Sequence, residues 1–175
     1  RFEFASSGGP MRQQPMKVRL GARSRPLDDG SGLEVIEVTA GGSAEAPVWI
    51  WALGDMVPTA LEVAARLRAA AIEAGVVDAR FVKPLDRALL ARQARTARLF
   101  VTLENGAVAG GFGSALRETL ADVAPATPVR AFGWPDTIVG PGTAESLRRA
   151  HGLTAPDIAG AVAAACARPR TAATA

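Results

Sequence analysis

The chain has 175 residues, 49% of them apolar, and carries 20 basic against 17 acidic side chains for a net charge of +3. That length suits one domain with an arm; no apolar stretch approaches the ~20 residues of a membrane span, and no five-residue basic block interleaved with aromatics marks a nucleic-acid binder. One cysteine, Cys166, and one histidine, His151, exclude an internal disulfide and a Cys/His zinc site, and a single thiol suits a reducing cytoplasm.

In chain order, residues 1–32 read as a linker or arm. They hold Ser6-Ser7-Gly8-Gly9-Pro10, Gly21, Pro26 and Asp28-Asp29-Gly30-Ser31-Gly32, with one short strand expected near Met16. The start Arg1-Phe2-Glu3-Phe4 has neither an initiator Met nor a signal pattern, so the chain reads as a soluble piece of something longer. An ordered domain is expected over 33–168 and a flexible tail over 169–175.

Strands are expected over 33–38 and 48–53, the second almost continuously apolar, as suits a strand covered on both faces. Thr59 and Glu62 form a capping box for a helix whose apolar face is Ala60, Val63, Ala64, Leu67 and Ala71, with Gly75 as its stop. The next strand covers 76–82. Asp86 caps a helix carrying Leu89 and Leu90. A strand at 99–103 leads into a glycine cluster, then a helix with Leu116 and Leu120, then a strand at 128–132. Thr143 caps one closing helix, which Gly152 ends, and Thr154-Ala155-Pro156-Asp157 caps the other. Strands alternating with helices predict an open α/β sheet, mainly parallel, with helices on both faces.

Most of the chemistry is concentrated between Leu103 and Ser114. Glu104 stands where a strand ends, and Gly110, Gly111 and Gly113 flank Phe112 where a helix begins. A helix start carries unpaired N–H groups, so the place suits an anion or a close backbone contact. As a dinucleotide fingerprint the run is incomplete: Leu116 holds the third glycine position, and the partner acid is missing, Asp136 lying past Pro135. The glycines are better explained by positive φ or close packing. Glu104 is either a base or the acceptor of the loop's N–H groups; the second is preferred. Arg80, Lys83 and Asp86 around a strand end make either an anion site or a salt bridge plus a cap. Trp49 and Trp51 share one sheet face, as core or subunit contact. His151 has no Ser/Asp context for a triad.

Three segments taken together resemble one family. They are Asp78-Ala79-Arg80-Phe81-Val82-Lys83-Pro84-Leu85-Asp86, the run from Glu104 to Ser114, and Gly133-Trp134-Pro135-Asp136-Thr137-Ile138-Val139-Gly140-Pro141-Gly142-Thr143. In that order they are similar to the C-terminal domain of 1-deoxy-D-xylulose-5-phosphate synthases, and more broadly to C-terminal domains of transketolases and 2-oxoacid dehydrogenase β subunits. The resemblance implies a three-layer α/β/α domain with a five-stranded, mostly parallel mixed sheet, its 33–38 strand antiparallel. It implies the third domain of a homodimeric cytoplasmic transferase of isoprenoid precursor synthesis. Such an enzyme condenses pyruvate with glyceraldehyde 3-phosphate, with loss of CO2, on thiamine diphosphate and Mg²⁺ held between the preceding domains. The family's G-D-G and N-N cofactor pattern is absent, since Gly54-Asp55-Met56 does not match it.

The resemblance therefore implies no catalytic, cofactor-binding or metal residue here and no activity of the chain alone. Its partners are the preceding domains and a second copy, with no nucleic acid and no membrane. Arg80, Lys83, Asp86, Glu104, Gly110, Gly111, Phe112, Gly113, Pro135 and Asp136 become structural or interface candidates. One departure stands out: Phe4 occupies the place of the arginine that binds substrate phosphate in the family's R-Y-P-R-G-N segment. The alternative is a stand-alone phosphate- or nucleotide-binding module, or an assembly module, of the same fold.

Overall fold

The computed structural model describes residues 21–26, 34–39 and 46–167. Phe4, the strand expected near Met16 and the tail 169–175 lie outside the described residues.

Six strands form one sheet in the order β1-β2-β4-β3-β5-β6. They are β1 (Gly21–Pro26), β2 (Glu34–Thr39), β3 (Val48–Ala52), β4 (Ala74–Asp78), β5 (Leu99–Ala107) and β6 (Val129–Trp134). β4, β3, β5 and β6 are mutually parallel, and β2 pairs antiparallel with β4, as expected of the 33–38 strand. These five are the expected sheet. β1 is a sixth, antiparallel to β2, within the segment read as an arm.

The helices are α1 (Val57–Ala69), α2 (Arg87–Ala94), α3 (Phe112–Val123), α4 (Ala144–Ala150) and α5 (Ala155–Ala167). Strand alternation divides the core in two. Val48, Ile50, Ala52, Val76, Val101 and Leu103 pack on one side with α1 and α5 residues such as Val63, Leu67, Ile158 and Val162. Trp49, Trp51, Val77 and Phe100 pack on the other with Leu89 and Leu90 of α2 and Phe112, Leu116 and Leu120 of α3. This is the expected three-layer arrangement, with both tryptophans on one face. The buried Trp51 indole donates to Gln93 Oε1 at 2.9 Å, so its polar atom is satisfied inside the core.

Local signals settled some helix ends and misplaced others. Asp86 Oδ1 accepts from Leu89 N at 2.9 Å and caps α2. Thr143 Oγ1 accepts from Ser146 N at 3.2 Å and caps α4, and Gly152 follows with φ +66. Thr154 Oγ1 accepts from Asp157 N while its hydroxyl donates back to the Asp157 carboxylate. The Thr59–Glu62 box does not form. α1 starts earlier, at Val57, with Met56 as its N-cap residue and proline in the first turn; Glu62 pairs with Arg66 at 2.8 Å instead. Pro58 has no N–H to lose in a first turn, which favours the earlier start.

Gly75 does not stop α1. The helix ends at Ala69, and Gly75 lies inside β4. Its lack of a side chain serves packing. A Cβ there would lie 2.6 Å from Trp49 Cε3 and 2.8 Å from Cη2. Trp49 is wholly buried and has no free space to swing into. Gly75→Ala is expected to destabilise the domain by about 1–3 kcal/mol, seen as a lower thermal midpoint. An unchanged midpoint would show that the indole repacks freely.

β4 also ends sooner than expected, at Asp78, where the 76–82 strand was to continue. Arg80 takes φ +56, a left-handed conformation that breaks the extended run. Residues 79–86 therefore form a loop at the edge of the sheet.

Candidate functional site

The C-terminal ends of the four parallel strands lie along one edge, where α/β folds gather their ligand sites. Phe100, Thr102 and Glu104 of β5 alternate onto the α3 side. Glu104 is 4% exposed and faces the start of α3. Its Oε2 accepts from Phe112 N at 2.8 Å and its Oε1 from Gly113 N at 2.9 Å. One carboxylate thus satisfies two N–H groups of the first turn and places its charge against the positive helix end.

The glycines make this contact possible. A Cβ on Gly111 would overlap Ala107 O and Glu104 Oε2 and lie 2.8 Å from Glu104 Cδ. On Gly113 it would lie 2.7 Å from both Ala131 Cβ and Thr102 Oγ1, and on Gly133 2.8 Å from Glu104 Cγ. Gly110 turns with φ +69, and its N–H donates to Ser114 Oγ at 3.2 Å. The loop is therefore built around an internal anion. The N–H groups that would cradle a phosphate already hold Glu104, so a phosphate-binding role for this loop does not fit its geometry.

The natural crevice of a doubly wound sheet lies where strand order reverses, here between β3 and β5. It is bridged from within. Asn105 Nδ2 donates to Asp55 Oδ2 at 2.9 Å, and Trp134 Nε1 donates to Asn105 Oδ1 at 2.8 Å. Arg148 of α4 pairs with Asp55 at 2.8 Å. His151 meets the Trp134 ring edge to face, with centroids 5.7 Å apart. These groups tie the ends of β3, β5 and β6 to α4, which itself buries no residue. They were not singled out in the sequence as a group. Asp55 and Arg148 are 93 residues apart, and only the strand order shows that Asp55 and Asn105 flank one crevice.

Arg80, Lys83 and Asp86 lie on or beside the 79–86 loop, and Asp86 caps the helix that follows it. Asp86 is buried and spent on its cap, whereas Arg80 and Lys83 are exposed on the 79–86 loop. Pro135 and Asp136 follow β6 at the far end of the same edge, Asp136 exposed. The structure brings together Glu104, Gly110, Gly111, Phe112 and Gly113, and leaves Arg80, Lys83, Asp86, Pro135 and Asp136 apart from them.

Asp78, at the end of β4, is buried, and desolvation pushes its carboxyl above the usual carboxylate range; the Arg80 N–H and the Arg80 charge only partly oppose this. The folded state therefore holds the proton more tightly than the unfolded chain. Asp78's contribution favours folding at low pH and turns unfavourable as pH rises through the raised value. Asp78→Asn keeps an acceptor for Arg80 N and removes the buried charge. It is expected to raise the thermal midpoint near neutral pH, with the gain vanishing in acid below the unfolded pKa. A gain that grows toward acid would reverse this sign.

These features define a doubly wound α/β domain whose glycine loop and crevice are both closed from within. The chain belongs to the family "Transketolase, C-terminal domain", which matches residues 43–158. Among curated proteins it is similar to the 1-deoxy-D-xylulose-5-phosphate synthase of Chlorobium luteolum, 38% identical over 155 residues, covering 89% of this chain and 22% of that one. It is also similar to the enzyme of the same name from Microcystis aeruginosa, 49% identical over 112 residues, covering 64% of this chain and 18% of that one. A solved "Split gene transketolase, inactive beta4 tetramer" matches with a TM-score of 0.63 and 43% identity, over 69% of this chain and 39% of that one. The chain thus spans about a fifth of the length of these curated relatives.

Proposed function

We propose that the chain acts as the C-terminal domain of a transferase of the 1-deoxy-D-xylulose-5-phosphate synthase type. Such an enzyme joins pyruvate to glyceraldehyde 3-phosphate, with loss of CO2, to supply isoprenoid precursors in the cytoplasm. The observation that carries this reading is the self-satisfied edge. Glu104 fills the place of an anion and Asn105 bridges the crevice, which suits a domain that packs and supports. No described residues fit thiamine diphosphate or Mg²⁺: the diphosphate-type cradle is taken by Glu104, and no three His, Cys, Asp or Glu side chains among them are grouped to hold a metal. The cofactor's carbanion chemistry then belongs to the preceding domains. The chain's own share is packing against those domains and homodimer assembly.

A domain exchange tests this. The Chlorobium luteolum synthase with its C-terminal domain replaced by this chain is expected to keep thiamine-dependent CO2 release from pyruvate and glyceraldehyde 3-phosphate. A folded, dimeric chimera without that activity would overturn the reading.

A further inference from the structure

The parallel strands begin at the edge of the sheet opposite Glu104, and a cavity of about 390 Å³ opens there. Val48, at the start of β3, pairs with Ala74 of β4 on one side and with Leu99 of β5 on the other. One residue earlier along each chain segment, Glu73, Pro47 and Arg98 therefore stand in a row, and the Arg98 N–H donates to the Pro47 carbonyl at 2.7 Å. Two strand spacings separate Glu73 from Arg98, about 10 Å between their Cα atoms. Pro47 between them brings neither an N–H nor a polar side chain. Glu73 and Arg98 are both exposed, and both line the cavity. Although their charges are opposite, neither side chain has an ion pair or a hydrogen bond among the described residues.

The wall between these two charges is apolar. Ala71 and Ile72 supply it from the turn after α1, and Ala163 and Cys166 supply it from α5. Burial pushes the Cys166 thiol above its ordinary range, and the charge of Arg98 opposes the rise. The guanidinium therefore lies near enough to this wall for the thiol to feel it.

We propose that this cavity binds a free α-amino acid with a branched apolar side chain, its carboxylate on Arg98, its ammonium on Glu73 and its side chain against Ile72 and Ala163. The site is remote from the Glu104 edge and does not depend on the functional reading above. Three features select the ligand. One planar guanidinium matches a carboxylate in a bidentate pair. The carboxylate of Glu73 attracts an ammonium and repels a phosphate dianion, so a doubly charged anion is disfavoured. The apolar wall between the two charges gains from burying a side chain, and the cavity is at the small end of the ~300–1,000 Å³ range of ligand pockets, which suits a molecule of this size.

Cys166 is the one cysteine of the chain, so its alkylation by iodoacetamide reads this cavity alone. The test follows that rate in the full chain at mildly alkaline pH, with thermal melts confirming that each variant folds. Leucine is expected to slow the alkylation, with half-protection at about 1 mM. Glycine has both charges and no side chain, and should need at least about tenfold more. Leucinamide lacks the carboxylate and 4-methylpentanoate lacks the ammonium; each should protect about fivefold less well than leucine. Arg98→Gln and Glu73→Gln should each weaken protection by leucine by a similar factor. Arg98→Gln should leave the weak protection by leucinamide unchanged, because the carboxylate it would have met is already gone. Absence of protection at about 50 mM leucine overturns the proposal. So does equal protection by 4-methylpentanoate, which would make the cavity a receptor for a plain apolar anion, and so does undiminished protection by leucine in both glutamine variants.

Discussion

Replacing Glu104 by alanine is expected to lower the stability of the domain by about 3–5 kcal/mol, a large part of the ~5–15 kcal/mol that holds a typical domain. Its two charge-assisted bonds, at 2.8 and 2.9 Å, contribute about 1.5–3 kcal/mol each. Their loss strands the N–H groups of Phe112 and Gly113 in a site that water reaches poorly. Phe112 itself is only 1% exposed, so an α3 that frays at its first turn also loosens the second core. Glu104→Gln should be nearly as harmful: one oxygen still accepts, but the amide turns an N–H toward another N–H. Urea denaturation of the three proteins measures this. Acetate should recover part of the stability of Glu104→Ala, because it returns a carboxylate to the vacated helix end, and should leave wild type unchanged. Equal midpoints for Glu104→Ala and wild type would remove the carboxylate from the fold's architecture.

Gly111→Ala is expected to cost about 3 kcal/mol, at the upper end of the overpacking range. The new methyl would overlap the Ala107 carbonyl, part of the β5 backbone, and the capping carboxylate. Neither is the free end of a flexible side chain, so the turn itself must open. Because one obstacle is Glu104, the two substitutions should not add: Gly111→Ala should cost less in the Glu104→Ala background than in wild type. Gly160 serves as the control. It lies in α5, exposed, and a Cβ there meets nothing within 4 Å. Gly160→Ala should stabilise the domain by about 0.5–1 kcal/mol through helix propensity. Thermal melts of the single and double variants decide between a close-packed turn and a merely flexible one.

Features carried by neighbours in the chain were legible from the residues. Alternation at Val48-Trp49-Ile50-Trp51 assigned the two sheet faces, and the caps at Asp86, Thr143 and Thr154 lie three residues from their partners. The glycine cluster marked the α3 entry, and the three quoted segments carried the family. A cap and its target are held close by the chain itself, so little tertiary information is needed to join them. The Thr59–Glu62 box is the exception, where Pro58 in the first turn won over a side-chain cap.

Tertiary structure decided the rest. Whether Glu104 was a base or a brace depended on where α3 began in space. The role of Gly75 depended on an indole in the adjacent strand, and the end of β4 on a left-handed Arg80. The bridge from Asp55 through Asn105 to Trp134, and from Asp55 to Arg148, joins residues that become neighbours only when the strand order places β3 beside β5. Sequence by itself determined the alternating α/β pattern, the local caps and the family, because periodicity and short-range bonds are written into adjacent residues. The sheet order, the internal anion and the closed crevice came only with the folded chain, because each depends on contacts between segments the sequence keeps apart.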